Sequence, residues 1–138
     1  MTVELVPLAS ARIQLRDPLI VGETPAGTRM IIEVESAEME GERLRAAMKG
    51  ASSADWFTIG PDLTGTLDVR ALLETHDGAL VFVQYLGRTD LSVPNSPIYT
   101  APRFETGDDR YKWLNRVQAV GKGALDGNSL TYEILEVR

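Results

Sequence analysis

A chain of 138 residues, 43% apolar and 25% charged, is long enough to bury a core of its own, and one domain spanning residues 1–138 is expected. The absence of cysteine excludes disulfides, thiolate metal sites and cysteine nucleophiles, and a net charge of −6 without a basic stripe opposes binding to phosphate backbones, so no nucleic-acid partner is expected. No window approaches the ~20 apolar residues of a membrane span, and the amino terminus Met-Thr-Val-Glu-Leu-Val-Pro carries neither a basic leader nor a long apolar run, so the expectation is a cytoplasmic protein with no membrane partner.

Alternation with period two dominates, and nowhere is an amphipathic helical pattern sustained for three turns. The first strand is predicted over Val3 to Leu15, with Ala9, Ala11, Ile13 and Leu15 on one side and Ser10, Arg12 and Gln14 on the other. Gly22 to Gly27 marks a turn. Arg29 to Met39 forms a strand with Met30, Ile32 and Val34 on one face, and Gly41 closes its hairpin with Leu44, Ala46 and Met48. A short strand around Trp56 to Ile59 ends at Gly60-Pro61.

Leu67 to Thr75 and Ala79 to Leu86 then flank His76-Asp77-Gly78. With Asp77-Gly78 as a two-residue turn, Glu74 falls opposite Val81, Leu72 opposite Val83 and Arg70 opposite Tyr85. Gly87 to Pro97 is predicted as a surface loop and Ile98 to Glu105 as a strand in which Pro102 demands an edge or a bulge. The one helix, short, is expected near Gly107 to Leu114, where Thr106 and Asp109 have capping-box spacing and Asp108 and Asp109 suit the helix dipole. Asn115 to Lys122 and Ser129 to Val137 make a last hairpin. The fold class is all-β, about eight or nine short strands forming an antiparallel barrel or sandwich.

Several blocks, taken in order, resemble one family: Glu40-Gly-Glu-Arg-Leu-Arg45, Ala54-Asp-Trp56, Leu67-Asp-Val-Arg70, Thr75-His-Asp-Gly-Ala-Leu80, Ala101-Pro-Arg-Phe-Glu-Thr-Gly-Asp108, Tyr111-Lys-Trp-Leu-Asn-Arg116 and Val120-Gly121. The chain resembles, over nearly its whole length, the family known as domain of unknown function 3237, also called uncharacterised protein family 0311. The resemblance implies a calycin-like antiparallel β-barrel, often a homodimer, with no settled activity. Glu33-Val-Glu-Ser-Ala37 stands where the family runs Pro-Ile-Thr-Gly-Gly, so a bulge or bend that glycines permit is expected to be missing there. Tyr85 replaces a small polar residue of the family, which narrows the cavity or fits it to another ligand.

The candidate chemistry is carried by few residues. Asp55 beside Trp56 sets a carboxylate against an aromatic plate, surroundings that raise a carboxyl pKa; the bland alternative is an aspartate serving backbone N–H groups next to a core tryptophan. Arg70 is the candidate clamp for an anion or carbonyl. Its row, with Asp68, Leu72 and Glu74, either lines a lumen or is a solvated face, and alternation alone leaves both open. Arg103 and Glu105 share a face with Tyr99. They form either a structural ion pair at the rim or a site where Arg103 orients a ligand anion while Tyr99 moves a proton. Trp113 and Tyr111 are expected to plug one end. The lone His76 sits on a hairpin tip facing water, where a catalytic base does not belong. No zinc site, nucleophile elbow, phosphate loop or dinucleotide fingerprint is present, so neither a metal nor a cofactor is expected.

The functional expectation is a small-molecule-binding barrel for an aromatic or polyketide-like guest with one or two oxygen anions. As an enzyme it would be a cofactor-independent lyase, isomerase or cyclase, with Asp55, Arg70 and Tyr99 as catalytic groups and Trp56, Tyr85, Arg103, Glu105 and Trp113 contacting the ligand. The alternatives are a carrier or sensor of a small hydrophobic molecule, and a structural dimer whose barrel is filled by its own side chains.

Overall fold

The computed structural model describes residues 1–138. Eleven strands follow one another: β1 Leu5–Leu15, β2 Leu19–Thr24, β3 Gly27–Glu40, β4 Ala46–Met48, β5 Ala54–Ile59, β6 Thr64–Thr75, β7 Leu80–Asp90, β8 Ile98–Thr100, β9 Arg103–Glu105, β10 Ala119–Asp126 and β11 Ser129–Val137. They close into an eight-stranded antiparallel barrel. Its staves run β1, β3, β5, β6, β7, β8, β10 and β11, the last returning to β1. Strand β4 shares the β5 stave between β3 and β6, and β9 pairs with β7 beyond β8. Pro102, which cannot donate to a ladder, falls in the break between β8 and β9.

Alternation decides what fills the barrel. Ala9 and Ala11 from β1, Leu67, Val69 and Leu73 from β6, Val81 and Val83 from β7, and Leu130, Tyr132 and Ile134 from β11 all belong to one buried core. Leu44, Leu114 and Val81 are its largest fully enclosed side chains. Most outward positions between the core residues are polar or exposed, with the cross-strand pair Leu72 and Phe82 as half-buried apolar exceptions.

Three sequence expectations are corrected. Strand β7 runs on to Asp90, so the first residues of the predicted Gly87–Pro97 loop are paired, Thr66 with Arg88 and Gly65 with Thr89 among them. The helix is a 3₁₀ turn at Lys112–Arg116, later than predicted. Thr106 does not cap it: its hydroxyl donates to the Leu80 carbonyl and accepts from the Asp108 N–H. Finally, β3 does carry a bulge where glycines are missing. Gln14 faces Ser36 while Leu15 faces Val34, so Glu35 is the extra residue and the bend forms without glycine.

The barrel end beneath β4 and the β6–β7 turn is tied shut. Tyr111, Leu114 and Val117 are buried there, whereas Trp113, expected to plug this end with Tyr111, stays half-buried. The Tyr111 hydroxyl donates to Asp77 Oδ1 at 2.8 Å, and the Thr75 hydroxyl donates to the same oxygen at 2.7 Å. Arg110 donates to the Asp77 carbonyl at 2.9 Å and grips Asp108 with two nitrogens. Thus the second half of the dense arginine, carboxylate and aromatic block, from Thr106 to Arg116, is a cap, and His76 beside it is exposed.

Candidate functional site

The β6–β7 turn determines which side chains face the lumen. Thr75 N–H bonds the Ala79 carbonyl at 2.8 Å, leaving His76, Asp77 and Gly78 as a three-residue loop with Gly78 at φ +92°. That is the geometry of a type I turn closed by a left-handed residue, for which glycine carries no Cβ penalty. The resulting register sets Val69 against Tyr85 and Arg70 against Gln84, one residue away from the two-residue reading. Because paired residues project to the same face, one residue of register exchanges lumen for surface. Val69 and Tyr85 point inward, and Arg70 points out.

The row continues across the barrel wall. Asp55 pairs with Val69 on one side and Ile32 on the other, which places its carboxyl on the same inner face as Tyr85. Asp55 is only 8% exposed. Its Oδ1 accepts the Asp68 N–H at 3.0 Å, a bond the β5–β6 ladder would otherwise have claimed. Two residues before Asp55, the Ser53 hydroxyl oxygen accepts the Leu72 N–H at 3.1 Å. Burial pushes the Asp55 carboxyl up to about 6, against the opposing pull of the Asp68 N–H. Trp56 is not the cause: as the next residue along a strand it points the other way and is 38% exposed.

Two tyrosines complete the polar equipment. Tyr85 and Tyr132 meet edge to face with centroids 6.2 Å apart and planes at 74°. Burial, more than any neighbour, pushes both phenols above their ordinary value, and the Asp55 charge adds to the effect on each. Both therefore remain protonated at neutral pH. Tyr132 is 5% exposed, and its hydroxyl is the one buried side-chain polar atom without a hydrogen-bond partner. Sequence reasoning missed Tyr132. The available signal was Gly121-Lys-Gly123, whose two glycines face inward on β10: a Cβ on Gly123 would lie 2.4 Å from Tyr132 Cε1, and one on Gly121 would lie 2.5 Å from the Thr100 hydroxyl.

Beside the two tyrosines the lumen holds a cavity of about 50 Å³ lined largely by apolar side chains, with Ser53, Thr100 and Glu38 also among its walls; Asp55, on the same inner face, lies next to lining residue Val69 and is not itself on that wall. Such a volume is space for a few water-sized groups and well under the ~300 Å³ at the lower end of ordinary ligand pockets. The lining residues that keep partial exposure include Val34, Ala37, Met48 and Ala71. They gather where β4 and β5 leave their shared stave and only residues 49–53 span the gap, held by Val34 N–H to the Ser53 carbonyl and Lys49 N–H to the Leu72 carbonyl.

The remaining predicted residues are not brought to this cavity. Arg70 lies over the Trp56 ring at 5.9 Å on the outer surface. Tyr99 is 54% exposed, stacked against Lys122 at 5.8 Å. Arg103 and Glu105 also face outward and form no ion pair with each other, since residues two apart on a strand project side by side into solvent, where such a contact gains little. Trp113 packs at the cap under the Arg43 guanidinium, 4.9 Å from its ring centroid. No lysine or arginine lines the cavity, so the expected cationic clamp is absent from the interior. No three His, Cys, Asp or Glu side chains converge in the manner of a metal centre.

A closed barrel with one buried carboxylate facing two phenols defines a compact β-barrel with a polar centre in an apolar lumen. The chain matches the family described as "Protein of unknown function (DUF3237)" over residues 3–137, and it belongs to that family. It is 29% identical over 150 residues to a UPF0311 protein of Rhodopseudomonas palustris, covering 99% of this chain and 97% of that one. A β-barrel-like protein from Acinetobacter baumannii is similar in structure, with TM-score 0.91 at 28% identity over 100% of this chain and 98% of its own. A structure described as an enzyme from Penicillium herquei shares the fold, with TM-score 0.74 at 24% identity over 99% of this chain and 94% of that one.

Proposed function

We propose that the protein is a small-molecule barrel that performs cofactor-independent acid–base chemistry of the lyase or isomerase kind, with Asp55 as the group that takes and returns a proton. The observation that carries this reading is the buried Asp55 carboxyl, facing two protonated phenols and held near 6 by burial. A base with a pKa near the working pH combines a usable ionised fraction with real proton affinity, and shifted carboxyls in apolar clefts concentrate at functional sites.

Arg70, Tyr99 and Arg103 have no part in this chemistry, because they lie outside the lumen. With about 50 Å³ enclosed, the guest is compact, or enters by the reactive edge of a larger ring system with Met39 and Met48 moving aside. Unbranched thioethers are suited to such repacking. The expected homodimer finds its best surface on the free edge of β2, where Leu19, Ile20 and Val21 are exposed in succession.

The narrowness of the lumen favours a second reading, a barrel without turnover in which Asp55 serves only the β5–β6 junction. Asp55→Asn separates the two, since the amide retains an oxygen for the Asp68 N–H. Exchange of α-protons of small ketones into D₂O, followed by NMR, is expected above the buffer rate for the wild type and lost by about a hundredfold or more in Asp55→Asn. Equal exchange by both proteins would reject the catalytic reading.

A further inference from the structure

We infer that the lumen takes a neutral carbonyl compound, its oxygen accepting a hydrogen bond from the Tyr132 hydroxyl and its acidic C–H facing Asp55. This substrate class rests on the acid–base reading above and narrows it. The argument begins with an imbalance among the buried groups. A tyrosine hydroxyl that is fully enclosed ordinarily finds an acceptor, and leaving it unpaired forfeits the hydration it had in the unfolded chain. Tyr132 lines the cavity and has none. The vacant interaction is that of a donor, so the complementary group on a guest is an oxygen with a free lone pair.

Charge then restricts which oxygen. The cavity wall contains no lysine or arginine. Of the cations, Arg29 alone pulls on Asp55, and less strongly than burial pushes; its own guanidinium donates to the Trp56 carbonyl at 2.8 Å on the outer side. A carboxylate or phenolate guest would therefore be buried as an unpaired anion beside a second anion, an arrangement that is strongly disfavoured. A carbonyl oxygen meets the requirement without bringing charge. The anionic guest expected from the sequence depended on an arginine in the lumen, and none is there.

The two groups complement each other chemically. When Asp55 takes the α-proton, the C–H bond breaks, its electron pair becomes the carbon–carbon π bond of an enolate, and the carbonyl π pair moves onto oxygen. That oxygen gains charge while bonded to the Tyr132 hydroxyl, so the hydrogen bond strengthens toward the transition state. Return of the proton from Asp55 to the same carbon, or to a conjugated one, completes an exchange or an isomerisation with no net oxidation. A phenol paired with a carboxylate base in an apolar pocket is a recognised arrangement for this step.

The probe is cyclopentanone labelled with ¹³C at its carbonyl, observed by infrared difference spectroscopy. Bound to the wild type, its carbonyl band is expected well below its position in alkane. In Tyr132→Phe, which retains the ring over Gly123, the band is expected to return toward the alkane position with binding weakened about tenfold. A wild-type band at the alkane position, no bound band at all, or a lowered band that persists unchanged in Tyr132→Phe overturns the inference. The wild-type band decides the matter even if the variant folds poorly. A Tyr132-dependent band without α-proton exchange upholds the carbonyl site and rejects the catalytic reading. Asp55-dependent exchange with a band indifferent to Tyr132 does the reverse.

Discussion

The ring of Tyr132 lies so close to its cross-strand partner Gly123 that a Cβ on that glycine would sit 2.4 Å from Cε1 and 2.5 Å from Cδ1. Glycine on β10 thus creates the space into which an aromatic side chain on β11 folds, the aromatic covering a backbone that has no side chain to pack. Gly123→Ala is expected to destabilise the protein by about 1–3 kcal/mol through overpacking, read as a fall in the urea midpoint at constant slope. Because the clash is with Tyr132, Gly123→Ala and Tyr132→Ala should be coupled. Their double variant is expected to lose less than the sum of the single losses; simple additivity would mean that the contact is not what disfavours alanine.

Asp55 makes stability depend on pH in an unusual direction. Its folded pKa of about 6 lies above the ordinary 3.8, so the native state holds the proton more tightly than the unfolded chain does. Below about 4 both states are protonated and no penalty exists. Between about 4 and 6 the penalty grows as pH rises, reaching roughly 3 kcal/mol at neutral pH for this one group. Asp55→Asn is therefore expected to be more stable than the wild type at pH 7, and the gain should vanish as pH falls to 4. Denaturant titrations at the two pH values check this, and a gain that does not change with pH would place the effect elsewhere.

The cap has the opposite dependence. Hydrogen bonds from Thr75 and Tyr111, and then the Arg110 charge, hold Asp77 below the usual carboxylate range, and bonds from Arg110 hold Asp108 at about 2. Depressed acids stabilise a fold above their unfolded pKa, and that contribution is lost as pH falls from about 4 towards 2. Amide hydrogen exchange at Thr106 to Leu114 should accelerate in that window before the barrel strands respond. Tyr111→Phe, which deletes one of the bonds to Asp77, should lower the unfolding midpoint by a few degrees and speed exchange in the cap at neutral pH.

Arg70→Gln and Arg103→Gln test the opposite claim, that these cations are surface groups. Each is expected to change stability by less than about 0.5 kcal/mol and to leave ketone binding and α-proton exchange unaltered. A tenfold loss of either in one variant would bring that arginine back to the site.

The barrel was legible in the sequence because period-two alternation runs through Ala9 to Leu15 and Leu67 to Leu73, and because Asp77-Gly78 and Asp126-Gly127-Asn128 punctuate it. What faces the lumen was less so. Arg70 and Tyr85 could be set on one face only by taking Asp77-Gly78 as a two-residue turn, and His76 as a third loop residue, settled by the Thr75–Ala79 pairing, reversed that choice. Asp55 was legible as a shifted acid, though for the wrong neighbour: Trp56 adjoins it in the chain and faces away from it in the strand. Tyr132 gave no sign of its own, since an aromatic residue between Thr131 and Glu133 reads as ordinary core. Only Gly123, across from it on β10, discloses that a whole ring must be accommodated.

The interruption of one stave between Met48 and Ala54 has a consequence for evolution as well as for entry. One rim is sealed by the cap, and the gap in the stave forms a side window framed by Lys49-Gly-Ala-Ser-Ser53. The exposed residues Lys49 to Ser52 can change in size and charge there without disturbing the carboxyl and phenols within. A lineage could alter which molecules it accepts while keeping the same reaction.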